Sequence, residues 1–169
     1  MPNPVTWVDP LGLSCKEIPE NYDLITGRYI GVDINLFSPN EAIHFSAKNV
    51  KNNADIFVVG GHGTPTFMED ALGIQGTPGN LANLIRNHPK YTQGMPVYLL
   101  SCNTGKGYNS FAQQLSDIME APVKAPDEYL WYWPDGKVAP YGITKDKDGN
   151  DIPDVSKPGT INEFKPQKK

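Results

Sequence analysis

The chain has 169 residues, enough for one domain of roughly 100–150 residues with end segments and too few for two full cores. Hydrophobic residues make up 38% and charged residues 20%, which places it with globular chains and excludes a disordered polyelectrolyte. A net charge of −4 without a basic stripe argues against phosphate-backbone binding, so no nucleic-acid partner is expected.

Other classes fall for local reasons. No apolar run reaches the roughly 18 residues that a bilayer span needs, so no membrane insertion is expected. The start lacks the basic and apolar regions of a signal peptide. Cys15 and Cys102 are too few for a disulfide framework, and the expectation is a soluble protein in a reducing compartment.

Residues 1–13 crowd Pro4, Trp7, Asp9, Pro10 and Gly12 with no helix or strand period, and read as a piece of something else. Residues 24–32, with Ile25, Tyr29, Ile30 and Val32 around Gly27, predict a strand or hairpin arm. Ser38, Pro39 and Glu41 then form a helix start, with Ser at the N-cap, Pro at N1 and Glu at N3. Ala42, Phe45, Ala47 and Val50 extend that helix to about residue 52. Residues 55–60 are a short apolar run of the kind buried on both faces, and they lead into Gly61, His62 and Gly63.

A second helix is expected from Thr77 as cap and Pro78 at N1 to about Asn87, with Leu81, Leu84 and Ile85 on one face and Pro89 ending it. Residues 95–100 form another apolar strand that runs into Ser101 and Cys102. A third helix spans 110–119, and short strands follow at 122–125 and 129–133 with a turn at Pro134, Asp135 and Gly136. Beyond Pro140 the chain is polar until residues 161–164, which read as a last short strand. Strands alternating with helices imply an α/β sandwich with a mainly parallel central sheet, whose sites lie at the carboxyl ends of the strands.

Two such strands end in His62 and in Cys102. If they are parallel neighbours joined by the Thr77 helix, both side chains emerge at one sheet edge. A thiol beside an imidazole is the pattern of a nucleophile with its acid/base partner, the imidazole raising the thiolate fraction at neutral pH. The N–H groups of Gly63 and Cys102 are candidate donors to a developing oxyanion. His44 and His88 read as surface or capping residues, Glu69 and Asp70 as a solvated acidic pair within reach of His62, and Trp131, Tyr132 and Trp133 as core and rim aromatics. Residues 146–151 imitate a calcium loop, but Asp151 stands where Gly is required and Lys157 where a bidentate Glu is required, so a hydrated turn is expected. No zinc spacing or phosphate loop is present, and no cofactor or metal is expected.

Two resemblances add to these residues. The run Pro-Val-Thr-Trp-Val-Asp-Pro-Leu-Gly-Leu, residues 4–13, resembles the Pro-x4-Asp-Pro-x-Gly-Leu signature that closes the core of Rhs-repeat polymorphic toxins. That resemblance implies autocleavage after Leu13, release of a C-terminal toxin within the Rhs core shell, delivery into a target-cell cytoplasm, and a cognate immunity protein. The second covers residues 55–137, where His62-Gly63 and Cys102 each follow an apolar strand. It resembles the clan CD, caspase-like cysteine peptidases, and most closely the self-processing cysteine protease domain of large toxins. It implies a caspase-like three-layer sandwich with helices on both faces and a C-terminal β-hairpin. Cys102 would be the nucleophile and His62 the general acid/base, with Gly63 and Cys102 supplying the oxyanion hole. The basic cluster that binds inositol hexakisphosphate in those toxin domains has no counterpart in this acidic chain.

The expected organisation is thus an Rhs core end at 1–13, a caspase-like toxin domain at 14–140 and a polar extension at 141–169. The expected activity is cleavage of target-cell proteins through a Cys102 thioester. A glutamine or asparagine deamidase or transglutaminase-like toxin uses the same acyl-thioester chemistry, and a non-enzymatic binding toxin needs no nucleophile; both stay open at this point.

Overall fold

The apolar run after Asp55 lies in the interior of the main sheet. In a computed structural model, which describes residues 18–167, Phe57–Gly60 has a strand on each side and is buried throughout. The Leu13 cleavage site, the Rhs-like segment at 1–13 and Cys15 lie outside the described residues.

The described chain starts with a small antiparallel hairpin, β1 (Tyr22–Asp23) and β2 (Arg28–Tyr29), turned by Gly27 at φ +66°. β3 (Ile34–Asn35), α1 (Ala42–Ala47) and β4 (Phe57–Gly60) follow. A second small hairpin, β5 (Met68–Glu69) and β6 (Gln75–Gly76), precedes α2 (Pro78–Arg86) and β7 (Val97–Leu100). Then come α3 (Phe111–Met119), β8 (Val123–Pro126), β9 (Tyr129–Tyr132), β10 (Val138–Lys145), β11 (Asp151–Pro158) and β12 (Ile161–Phe164). The fold is mixed α/β. Its five-stranded sheet has the order β12-β8-β7-β4-β3, with β3–β4, β4–β7 and β7–β8 parallel and β12 antiparallel to β8.

Strand alternation divides the core between the two faces of this sheet. Phe57, Val59, Val97, Leu99 and Val123 pack with Leu81 and Ile85 of α2 and Phe111, Leu115 and Met119 of α3. Val58 and Leu100 point the other way, into a smaller cluster with Phe37, Ala47, Val50 and Leu130. Each fully buried Leu or Phe contributes about 1.5–3 kcal/mol relative to exposure, so the α2/α3 side carries most of the stability. The other side keeps an open groove of about 990 Å³, lined among others by Ile56, Tyr98, Val138 and Ile161.

The helix start at Thr77 forms as the sequence predicts, and the helix expected over 110–119 spans Phe111–Met119 with Ser110 as its cap. Thr77 Oγ1 accepts the Asn80 N–H at 3.2 Å while Asn80 Oδ1 accepts the Thr77 N–H at 2.9 Å, a reciprocal cap. Ser110 Oγ accepts the Gln113 N–H at 3.3 Å.

Two expectations need correction. The first helix ends at Ala47, short of residue 52. Ser38 to Glu41 forms a turn ahead of it, and the following asparagines bond elsewhere: Asn49 to the Pro134 carbonyl at 2.9 Å and Asn52 to the Gly31 carbonyl at 2.8 Å. Side chains that satisfy non-helical backbone compete with helix continuation. The second is the polar stretch after Pro140. It forms the β10–β11 hairpin, whose turn is the calcium-like segment: Asp146 Oδ1 accepts the N–H groups of Asp148 at 2.8 Å and Asn150 at 2.9 Å. Residue 140 lies inside β10, and β12 completes the central sheet, so the described residues after 140 share the fold of those before them.

Candidate functional site

Gly60 of β4 and Leu100 of β7 are register partners. His62 and Cys102 each follow by two residues, so parallel pairing carries both to the carboxyl edge of adjacent strands, about 4.8 Å apart. The pleat also gives them one face. Leu100 belongs to the cluster of Phe37 and Leu130. Two residues on, the His62 ring meets Phe37 edge-on at 4.9 Å and 85°, and Cys102 Sγ accepts the Leu130 N–H at 3.4 Å.

Tyr132 stands alongside both. Its ring meets Phe37 at 5.4 Å and 87°, and its hydroxyl donates to the Leu100 carbonyl at 2.5 Å. Burial, and after it the electrostatic coupling to Cys102, push the Tyr132 phenol well above its ordinary value. Tyr132 thus stays a neutral donor that fixes the end of β7.

The thiol and imidazole share no hydrogen bond. His62 Nε2 lies 2.8 Å from Glu41 Oε1, while Cys102 Sγ is held by the Leu130 N–H and lies 3.9 Å from the Leu130 carbonyl. Burial pushes the Cys102 thiol above its ordinary value, opposed by the N–H groups of Leu130 and of Cys102 itself. The imidazole expected to enrich the thiolate thus has Glu41 as its hydrogen-bond partner, and the groups holding the sulfur belong to Leu130.

Gly63 closes the gap between the two strand ends. The His62 carbonyl accepts the Glu69 N–H at 3.0 Å and the Thr64 N–H donates to Phe67 at 2.9 Å, so the intervening Gly63 N–H faces away from β5. A Cβ on Gly63 would stand 2.7 Å from Thr104 Cγ2 and 3.1 Å from the Cys102 carbonyl and from Ser101 Cβ. Only glycine allows this approach. Among the described residues the N–H of Gly63 meets no protein acceptor, and that of Cys102 turns only toward its own sulfur.

The turn that carries Cys102 is pinned on both sides. Asn103, at φ +58°, donates its N–H to the Glu128 carbonyl at 2.9 Å, and Gly105 donates to Pro126 at 2.8 Å. Ser101 Oγ and Thr104 Oγ1, both buried, lie 2.9 Å apart.

Other candidates find different roles. Asp70 is buried and accepts the N–H groups of Leu72 and Ile74 at 2.9 Å each, so it holds the turn between β5 and β6; no hydrogen bond joins it or the Glu69 carboxylate to His62. His44 is buried with Nδ1 3.0 Å from the Phe37 carbonyl, which corrects its assignment to the surface. His88 packs edge-on against Phe57 at 5.0 Å and accepts the Lys90 N–H at 3.2 Å; burial lowers its pKa. Among the described residues no three His, Cys, Asp or Glu side chains converge as a metal site would require.

The residue missed by sequence reasoning is Glu41. Its position three after Ser38 read as a helix cap, and its Oε2 does accept the Ser38 N–H at 3.0 Å. The available signal was topological: Glu41 follows a third parallel strand, β3, and such strands deliver their following loops to the same edge.

Residues 32–140 match a family described as a domain of unknown function, DUF8616. The matched stretch contains Glu41, His62 and Cys102. The chain is also similar to an uncharacterized protein of Escherichia coli (strain K12), YibJ, at 44% identity over 110 residues, 65% of this chain and 39% of that protein. The chain spans well under half the length of this relative.

Proposed function

The chain belongs to the DUF8616 family, and we propose that it is a cysteine endopeptidase acting through Cys102 and His62, carried as the C-terminal toxin of an Rhs protein. The observation that supports this most is the register of Gly60 with Leu100, which gives a thiol and an imidazole equivalent positions at one sheet edge. The free N–H of Gly63 beside the Cys102 peptide supports it as well. On this reading the sheet is caspase-like, with a mainly parallel core of β3, β4, β7 and β8 and the β9–β10 hairpin beside the nucleophile.

The chemistry follows from the groups present. The Cys102 sulfur attacks the scissile carbonyl carbon, forming a C–S bond while its proton passes to His62. The carbonyl electrons move to oxygen, and the N–H groups of Gly63 and Cys102 stabilise that oxyanion. As the C–N bond breaks, His62 protonates the leaving amine and a thioester remains. Water then attacks the thioester, the C–S bond breaks, and the acid leaves with the thiol restored. A largely buried thiol whose pKa is raised by that burial suits a nucleophile that ionises with substrate bound.

The Rhs-like run at residues 4–13 supports delivery by cleavage after Leu13, a target-cell cytoplasm as the site of action and an immunity protein as partner. The test is expression of the full chain in bacteria as wild type, Cys102→Ala and His62→Ala, with mass-spectrometric mapping of new protein N-termini. Growth arrest and new N-termini with the wild type alone are expected. Full killing by soluble Cys102→Ala overturns the enzyme, and one-dalton shifts at Gln or Asn in place of chain breaks overturn the peptidase.

A further inference from the structure

We infer that Glu41 is the positioning residue of the site: its carboxylate selects the Nε2–H tautomer of His62 and leaves Nδ1 as the nitrogen that exchanges protons with sulfur and substrate. This rests on the peptidase reading and adds to it a residue outside the Cys–His pair. Both carboxylate oxygens are committed. Oε2 accepts the Ser38 N–H at 3.0 Å and Oε1 lies 2.8 Å from His62 Nε2. A carboxylate only accepts, so Nε2 must carry the hydrogen, and a neutral imidazole then has its lone pair on Nδ1.

The carboxylate is itself held in place. The Glu41 N–H donates to the Ser38 carbonyl at 3.0 Å, closing a turn that follows Phe37, two residues beyond the end of β3. Phe37, the residue before that turn, packs edge-on against the same imidazole, while Leu36 donates to the Gly60 carbonyl at 2.8 Å. The ring is therefore gripped at its edge by Phe37 and at Nε2 by Glu41, both from one strand end. His62 and Glu41 side chains are 43% and 41% exposed, so the pair adds little to stability, and its consequence lies in orientation.

The test compares wild type, Glu41→Gln and Glu41→Ala in the full chain, with unchanged thermal melts as the check on folding. Nitrogen-15 NMR of the three histidines is recorded at about pH 8.5, two units above the ordinary histidine range, with His62 assigned by its loss in His62→Ala. His62 is expected as a single Nε2–H tautomer in the wild type, as a mixture in Glu41→Ala, and nearer the wild type in Glu41→Gln, which keeps an acceptor. The initial rate of new N-termini in target-cell lysate is expected to fall about 10–100-fold in Glu41→Ala. The rate of Cys102 alkylation by iodoacetamide stays the same. A tautomer unmoved by Glu41→Ala, or a moved tautomer with an unchanged cleavage rate, overturns the role of Glu41. Absence of cleavage by the wild type itself overturns the peptidase reading instead, and the two failures are told apart by the wild-type arm.

Discussion

Gly63 lies against the carbonyl of Cys102, so close that a single added methyl would stand 3.1 Å from that oxygen and 2.7 Å from Thr104 Cγ2. The loop after β4 and the turn after β7 therefore form one surface. Gly63→Ala is expected to displace the Cys102 peptide and, on the proposed peptidase reading, to lower turnover about 100-fold by moving the proposed oxyanion donors out of place. Thr104→Ser removes the clashing methyl and keeps the hydroxyl that meets Ser101, so Gly63→Ala with Thr104→Ser should recover part of the rate. Turnover equal to wild type in Gly63→Ala would contradict this arrangement.

The Cys102 thiol, raised by burial, should react with iodoacetamide more slowly at neutral pH than a free cysteine. Its rate should keep climbing beyond the ordinary thiol value of about 8.5. The linkage has a definite sign. A folded pKa above the unfolded one contributes stability that is full below about pH 8.5 and is lost as pH rises through the folded value. Urea unfolding followed from neutral to alkaline pH should show this decline, and Cys102→Ala should flatten it. Alkylation faster than a free thiol at pH 7 would count against the geometry around the sulfur.

At the opposite end of the sheet, Lys90 Nζ lies 3.0 and 2.9 Å from the two Asp33 oxygens, with both side chains nearly inaccessible. Asn21, Asn52 and the Val58 N–H also donate to this carboxylate. Asp33→Ala would leave a buried ammonium without its counter-charge, and the expected loss is about 3–5 kcal/mol. Chemical denaturation reads it directly, and a loss under about 1 kcal/mol would show the pair to be solvated.

Deleting residues 161–169 removes β12 from the edge of the central sheet. Phe164 packs on the main core, and its carbonyl lies 3.1 Å from the Ser116 hydroxyl, which the Ala121 carbonyl shares at 2.8 Å. Loss of the Phe164 side chain alone removes roughly 2 kcal/mol of apolar burial. A lowered melting temperature is expected, and an unchanged one would mean that the domain ends before β12.

Sequence reasoning succeeded where a signal is local. Phe57–Gly60 and Val97–Leu100 announce buried strands by unbroken apolar runs, and Thr77-Pro78 announces a helix by cap chemistry that the side chain then makes. The β10–β11 hairpin escaped because Asp151–Pro158 is exposed along most of its length, and no alternation of apolar and polar residues marks a strand without a buried face.

The sequence by itself determined that a thiol and an imidazole each end an apolar strand, because the composition of such runs fixes burial and the glycines fix the turns that follow. Only the tertiary structure decided how those groups are held: that Glu41 takes Nε2 of His62, that Leu130 takes the sulfur, and that Lys90 is buried on Asp33. These are contacts between loops brought together by strand register, and their geometry depends on the relative position of whole elements, which no local spacing encodes.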